Sequence, residues 1–296
     1  MAGAPAALLA ALQGRPIERP LRAPLLAALA AEVEQLDLRE FLADAGKRSR
    51  ILAGLALSMG IDVLVLDSGS GWDGEASGFV TDWGAGYPPV LRAAGGVALR
   101  FDPARGGAPV ILDLLQRARA VVPDSVSFGV TLVGPAALVA AASSDGLSLT
   151  AATQLVLAAA RAVAEAGAGV VIVREGGGAE VDCAAYAVAT APLWRSLQFF
   201  RSVGVLQVTG AADGWADVLA GAGPFLPVFD AESSPGVAGG VAAAGRPYGL
   251  ALAAGVGRSS VGMPGSDRCG LLTHDRDLVG RVPVRDAAAV VAAMTI

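Results

Sequence analysis

The stretch Glu165–Gly178, EAGAGVVIVREGGG, decides how the rest of the chain is read. A helix-like run ends at a glycine, a short apolar run follows, and Arg174 and Glu175 close it before three glycines. Glycine just past a helix C-terminus takes the positive φ that turns the chain back sharply. Apolar residues without polar alternation mark a strand buried on both faces, as parallel strands under helices are. Such a strand has no use for two opposite charges. They stand where a parallel α/β fold carries its active-site loops, beyond the strand's C-terminal end.

The same unit recurs. Ala56–Gly69 (ALSMGIDVLVLDSG) ends at Asp67 and Ser68, Phe200–Gly210 (FRSVGVLQVTG) at Thr209, and Leu219–Glu232 (LAGAGPFLPVFDAE) at Asp230 and Glu232. Further strands fit Ser125–Gly134, Tyr248–Gly255 and Cys269–Asp275, and Arg22–Leu29 reads as a first strand or a helix start. Gly96–Phe101 reads as an extra strand in a long excursion after Asp67. About eight strands alternating with helices predict the α/β class: one (β/α)8 TIM barrel over residues 1–296, with extra N-terminal helices and long loops after the strands. A doubly wound open sheet is the alternative, but no strand leads into a G-x-G-x-x-G helix start.

Composition bounds the function. The chain has 296 residues, 54% of them hydrophobic and only 5% aromatic, so a large core is built mostly of alanine, valine and leucine. A net charge of −5 with scattered basic residues gives no footprint for nucleic acid. Two cysteines, Cys183 and Cys269, make no disulfide framework and suit a reducing, cytoplasmic setting. The apolar N-terminus lacks a basic n-region and reads as a short helix rather than a signal peptide. Arg161 and Glu165 interrupt the longest apolar run, so no membrane span is expected.

Candidate site residues follow from their place at strand ends. Asp67, Arg174, Glu175, Asp230 and His274 all fall where one barrel mouth would gather them. Arg174 and Glu175 are adjacent on a strand, so their side chains diverge. Glu175 is expected in the pocket, with Arg174 pairing a carboxylate such as Asp67 or Asp230; the reverse assignment makes Arg174 an anion clamp. The glycine-rich excursion Asp67–Pro89 has the length of a lid or binding loop, and its Trp72 and Trp83 either stack on a planar ligand or pack the loop onto the barrel. A second glycine-rich loop, Gly255–Gly270, carries Arg258 and Ser259 as candidate binders of phosphate or carboxylate. Cys269 and His274 point to opposite strand faces unless the strand bulges. The cysteines read either as part of a metal site or as small buried apolar residues.

In order and spacing these segments resemble the uroporphyrinogen decarboxylase family, whose superfamily includes cobalamin-independent methionine synthase and zinc thiol methyltransferases. The resemblance runs from about Ala11 to Ala293 and rests on five pieces. They are ALQGRPIERPLRAPLL (Ala11–Leu26), MGIDVLVLDS (Met59–Ser68), GVTLVGPAAL (Gly129–Leu138), the opening stretch, and CGLLTHDRDLVGRVPVRDAAAVV (Cys269–Val291). It implies a (β/α)8 barrel with Asp67, His274 and Glu175 as catalytic residues. It also implies a cofactor-independent carbon–carbon lyase acting on a small anionic molecule, tetrapyrrole-like in the family, with Arg22, Arg174, Arg258 or Ser259 holding the anion and Trp72 and Asp230 beside it. A methyltransferase working with a corrinoid protein, a folate or a thiol is the alternative, and a catalytically silent ligand- or partner-binding barrel is a third. Barrels of this family often pair, so a homodimer is expected. The chain departs from the family pattern at three places. Ala140 and Ala141 stand where a tyrosine is expected, the arginine-rich first loop is reduced to Arg22, and Gln207 and Thr209 occupy the positions of zinc ligands.

Overall fold

The fold is that of a computed structural model, which describes residues 4–13, 15–16, 18–84, 86–95, 98–142, 146–176, 182–211, 213–221, 223–230, 233, 235–252, 269–274, 290–291 and 294. Eight parallel strands form one sheet: β1 (Leu21–Arg22), β2 (Val63–Val65), β5 (Ser127–Val133), β6 (Val170–Gly176), β7 (Val203–Thr209), β8 (Phe225–Asp230), β9 (Tyr248–Leu252) and β10 (Cys269–His274). Their order is β1-β10-β9-β8-β7-β6-β5-β2. The two ends meet where Asp62 N–H donates to the Arg22 carbonyl at 3.1 Å and Arg22 N–H to Asp62 Oδ2 at 2.9 Å. The sheet is therefore a nearly closed barrel with helices between its strands, as the alternating pattern predicts.

The helices are α1 (Ala4–Leu12), α2 (Ala27–Val33), α3 (Leu38–Ala43), α4 (Ala45–Met59), α5 (Trp72–Ser77), α6 (Ala108–Val121), α7 (Pro135–Ala141), α8 (Leu149–Glu165), α9 (Cys183–Phe199), α10 (Ala216–Ala220) and α11 (Pro235–Ala243). Among the described residues, no helix is long and apolar enough to cross a membrane. The α1 helix packs at the strands' N-terminal ends, where Pro5 lies against Gly169. Arg22–Leu29 holds both elements that the sequence left open, because β1 leads directly to α2.

The glycine rule holds where the turn demands it. Gly60 (φ 60°) ends α4 before β2, and Gly167 (φ 103°) follows α8 before β6. Before β7 the positive φ belongs to Arg201 instead, and Gly204 lies inside the strand, where a Cβ would come within 2.8 Å of the Trp194 ring.

The extra strands differ from the prediction. Residues 98–101 form no strand. The excursion folds as an antiparallel hairpin of β3 (Phe79–Asp82) and β4 (Val90–Ala93), set over α5. Leu91 of the hairpin packs so closely on α5 that a Cβ at Gly74 would lie 2.6 Å from it.

Two apolar layers result. Val63, Val65, Val170, Ile172, Val203, Val205, Leu226, Val228 and Leu271 form one cluster on the barrel axis. The alternate residues, such as Leu64, Val171, Val173, Leu206 and Leu272, join the helices in the larger outer core.

Candidate active site

Alternation along β6 settles where its two charges go. Arg174 continues the face of Val170 and Ile172 and points to the barrel axis, in register with Gln207 of β7. Glu175 continues the face of Val171 and Val173 and points toward the helices. Arg174 is thus the axis-facing residue and Glu175 the helix-facing one, a phase that a strand apolar on both faces does not reveal in sequence. Both side chains nevertheless reach one cavity of about 440 Å³, since it lies over the rim between the strand ends and α7. Its polar lining is Asp73, Thr131, Arg174, Glu175 and Thr209; Pro88 to Leu91, Leu132, Val133, Ala137 and Ala141 supply most of the remainder. The volume lies within the range of small-molecule sites.

Glu175 is 2% exposed and sits against the first turn of α7. Its Oε1 accepts from Ala136 N–H at 3.0 Å and from the Tyr186 hydroxyl at 2.9 Å, and its Oε2 accepts from Ala137 N–H at 2.8 Å. Pro135 at the start of α7 leaves those later N–H groups as the orphan donors a carboxylate satisfies. Gly134 leaves space for the arrangement, because a Cβ there would fall 2.1 Å from Glu175 Cδ. Burial pushes the Glu175 carboxyl up to about 7 against the pull of these three donors. Burial and the neighbouring Glu175 raise the Tyr186 phenol well above its ordinary range.

Arg174 donates from Nη1 to the Ser68 carbonyl at 3.0 Å. That carbonyl belongs to the turn after β2, and the turn is organised by Asp67. The fully buried Asp67 carboxylate accepts at Oδ2 from Gly69 N–H (2.9 Å), Ser70 N–H (3.0 Å) and the Thr131 hydroxyl (3.3 Å). Its Oδ1 lies 3.4 Å from Nη2 of Arg48, a guanidinium that also donates to the Leu42 and Leu66 carbonyls. Arg48 on α4 is 1% exposed, and burial lowers its pKa while Asp67 opposes that shift. Asp67 therefore does not line the cavity; it stands beneath it and holds Gly69 and Thr131, which do.

Sequence reasoning passed over Asp73. This residue occupies the first turn of α5, is 3% exposed, and lines the cavity. Its Oδ2 accepts from Val133 N–H at 2.8 Å, which ties α5 to the end of β5. Burial pushes its carboxyl up to about 7, the backbone donors opposing and the charge of Asp67 adding to the rise. The only sequence signal is an acidic residue between tryptophan and glycine in GWDGE, which gains meaning once the helix folds onto β5.

The other expected residues that the structure describes lie off this cavity. Trp72 is buried, donates from Nε1 to the Thr131 carbonyl at 3.2 Å, and meets Phe101 edge-on, so it packs the excursion onto the barrel. Trp83 stacks with Tyr87 and lies under the Arg39 guanidinium. Asp230 accepts at both oxygens from Gly210 N–H and at Oδ1 from the Ser233 hydroxyl, closing the turn after β7. Arg22 pairs in register with Leu272, on the outward face. His274 is fully buried, and Gln207 Nε2 donates to its carbonyl at 3.0 Å. Alternation places the His274 side chain on the Leu272 face, toward the helices. The β10 register slips between Cys269 and Leu271, so Cys269 shares that outer face rather than opposing it. Arg258 and Ser259 lie outside the described residues.

A zinc site needs several thiolate, imidazole or carboxylate donors converging on one point. Among the described residues, no three histidine, cysteine, aspartate or glutamate side chains do so. The Cys183 thiol donates to the Gly214 carbonyl, and burial pushes the Cys269 thiol up to about 12, away from the thiolate form. These residues do not fit the metal.

No protein-family model matches the chain, and no curated protein matches it in sequence. Solved structures do share its fold. A methyltransferase from Methanosarcina mazei superposes with a TM-score of 0.75 at 18% identity, covering 99% of this chain and 98% of that one. A glycoside hydrolase family 20 β-N-acetylglucosaminidase gives a TM-score of 0.51 at 11% identity over 93% of this chain and 68% of its own. At these identities the likeness establishes the barrel and its full-length correspondence to the Methanosarcina protein.

Proposed function

We propose that the chain is a (β/α)8-barrel enzyme that binds a small anionic molecule at the mouth between β2, β5 and β6, and that its reaction is of the carbon–carbon lyase type. The observation that carries this reading is one cavity in which an axis-facing arginine meets two buried carboxyls and a largely apolar wall. Arg174 offers planar donors suited to a carboxylate. The Asp73 and Glu175 carboxyls, both raised to about 7, are half-protonated near neutrality, the condition for a group that gives or takes a proton there. Loss of CO2 leaves a carbanion that must be protonated, and an enclosed carboxylic acid can serve it. Asp67 takes the part of a positioning residue, holding the Ser68 carbonyl against Arg174. The family resemblance points the same way, with a substrate compact enough for the cavity.

Methyl transfer is the second reading, and its support is the full-length likeness to the Methanosarcina methyltransferase. The two separate in one assay. Purified protein is offered a panel of 13C-carboxyl-labelled small acids and, in parallel, methylcobalamin with a thiol acceptor. Labelled bicarbonate that disappears in Arg174→Met supports the lyase. Arg174-dependent loss of the methylcobalamin spectrum with no bicarbonate replaces it with the methyltransferase, and silence in both arms removes both readings.

A further inference from the structure

Asp73 and Glu175 share a cavity but are held differently. Glu175 has hydrogen-bond donors at both oxygens, two from the N-terminus of α7 and one from Tyr186. A proton on Glu175 competes with those three donors. The close donor to Asp73 is Val133 N–H, on Oδ2, with the backbone N–H groups of Asp73 and Gly74 pulling more weakly the same way. That bond fixes the carboxyl plane while the group lines the cavity. A buried carboxyl whose close donor sits at one oxygen, and which faces the same space as Arg174, can present an O–H to a ligand from its other oxygen.

The surrounding charges leave this proton to Asp73. On the neighbouring strands, Asp67 is committed to Arg48, Gly69, Ser70 and Thr131. On its own helix, Glu75 accepts from the Thr81 hydroxyl of the hairpin, and on that hairpin Asp82 pairs with Arg92. On α6, Asp113 and Arg117 pair with each other at the surface. On α8, Arg161 and Glu165 are exposed. Among the described residues, Arg174 and Glu175 on β6 are thus the charged groups that line the space with Asp73.

We propose that the cavity takes up a small carboxylate together with one proton, which resides on Asp73 and is shared with the ligand, while Arg174 holds the ligand's charge. The inference rests on the anion-site reading above and adds a proton to it. In this picture the ligand arrives as R–COO⁻, Asp73 carries the proton as COOH, and the two form an acid–carboxylate hydrogen bond. Ionised Asp73 would instead set two anions together in a site of low dielectric.

Benzoate suits the test as a probe, because its ring matches the wall of Pro88, Val90, Leu91 and Val133 and its carboxylate matches Arg174. Calorimetric titration in two buffers of different ionisation enthalpy at pH 7 reads proton uptake directly and needs no variant. The expected result is uptake of a substantial fraction of a proton per benzoate, with the dissociation constant about tenfold larger at pH 8 than at pH 6, as a carboxyl titrating near 7 requires. Asp73→Asn, which keeps an acceptor for Val133 N–H, is expected to bind benzoate with no pH dependence over this range and no proton uptake. Binding that needs Arg174 but is pH-independent in the wild type overturns this inference and leaves the anion site standing. A pH dependence and proton uptake that survive in Asp73→Asn overturn it by placing the proton on another group. No benzoate binding at either pH removes the anion site and the inference together.

Discussion

The barrel mouth has two sides that treat their acidic residues in opposite ways. At the end of β8, Asp230 gives both oxygens to Gly210 N–H and one to the Ser233 hydroxyl, and the carboxylate is spent on closing a turn. At the ends of β2, β5 and β6, Asp67 and Arg48 neutralise each other below the surface, so the next layer can hold Arg174, Asp73 and Glu175 around a cavity. A charge at a strand end is therefore not a functional group by position alone. The loop above it decides whether it is consumed by the backbone or left facing space. On the β2–β5–β6 side α5 and the hairpin β3–β4 supply part of the wall around that space, whereas the Asp230 carboxylate is taken up by Gly210 and Ser233.

Substitutions that break the support should cost the most. Arg48→Met leaves Asp67 as a buried carboxylate without its cation, and we expect about 3 kcal/mol or more of lost stability in denaturant unfolding. A loss below about 1 kcal/mol would show that the backbone donors alone hold Asp67 and that the pair is dispensable. Gly134→Ala should come next, because the added methyl falls on the Glu175 carboxyl. We expect roughly 2 kcal/mol of destabilisation and loss of benzoate binding, read by thermal melts and calorimetry.

The raised carboxyls also fix a sign for stability against pH. A carboxyl whose folded value lies near 7 binds more protons folded than unfolded between pH 4 and 7, so its contribution falls as pH rises through that window. Asp73→Asn removes that penalty. It should be more stable than wild type at pH 8, on the order of 2 kcal/mol, and equal to it near pH 4. Equal stability at both pH values would mean that Asp73 stays solvated in the folded protein.

On the other side of the mouth, Asp230→Ala should cost ~1–2 kcal/mol through the unsatisfied Gly210 N–H, with benzoate affinity unchanged. A tenfold loss of affinity would join the two sides into one site. Smallest of all, Phe199→Ser on α9, at a side chain 82% exposed, should change stability by less than about 0.5 kcal/mol. A larger loss, or a change in sedimentation, would show that this face is covered in solution by the expected second copy.

Much of the barrel was legible because β2 and β5 to β9 each carry an apolar run that follows a helix end. Asp67, Arg174 and Glu175 were placed at strand ends for the same reason. Three things were not readable. The phase of β6 was hidden because Val170 to Val173 are apolar on both faces, so nothing in the sequence told Arg174 from Glu175. The hairpin was missed because FVTD and VLRA are short and carry no buried apolar run, while Gly96–Phe101 mimicked one. Arg48 and Asp73 went unremarked because their meaning is tertiary. Each is a polar residue on a helix that matters only once that helix is laid against a strand end.

The most direct test of the account is a calorimetric titration of benzoate into the wild-type protein and into Arg174→Met at pH 6. The account predicts one site per chain in the wild type and at least about thirtyfold weaker binding in the variant, the loss expected when a charge-assisted pair is removed from an enclosed site. Equal affinity in the two proteins would contradict it, because the anion would then be held somewhere other than the cavity between β2, β5 and β6.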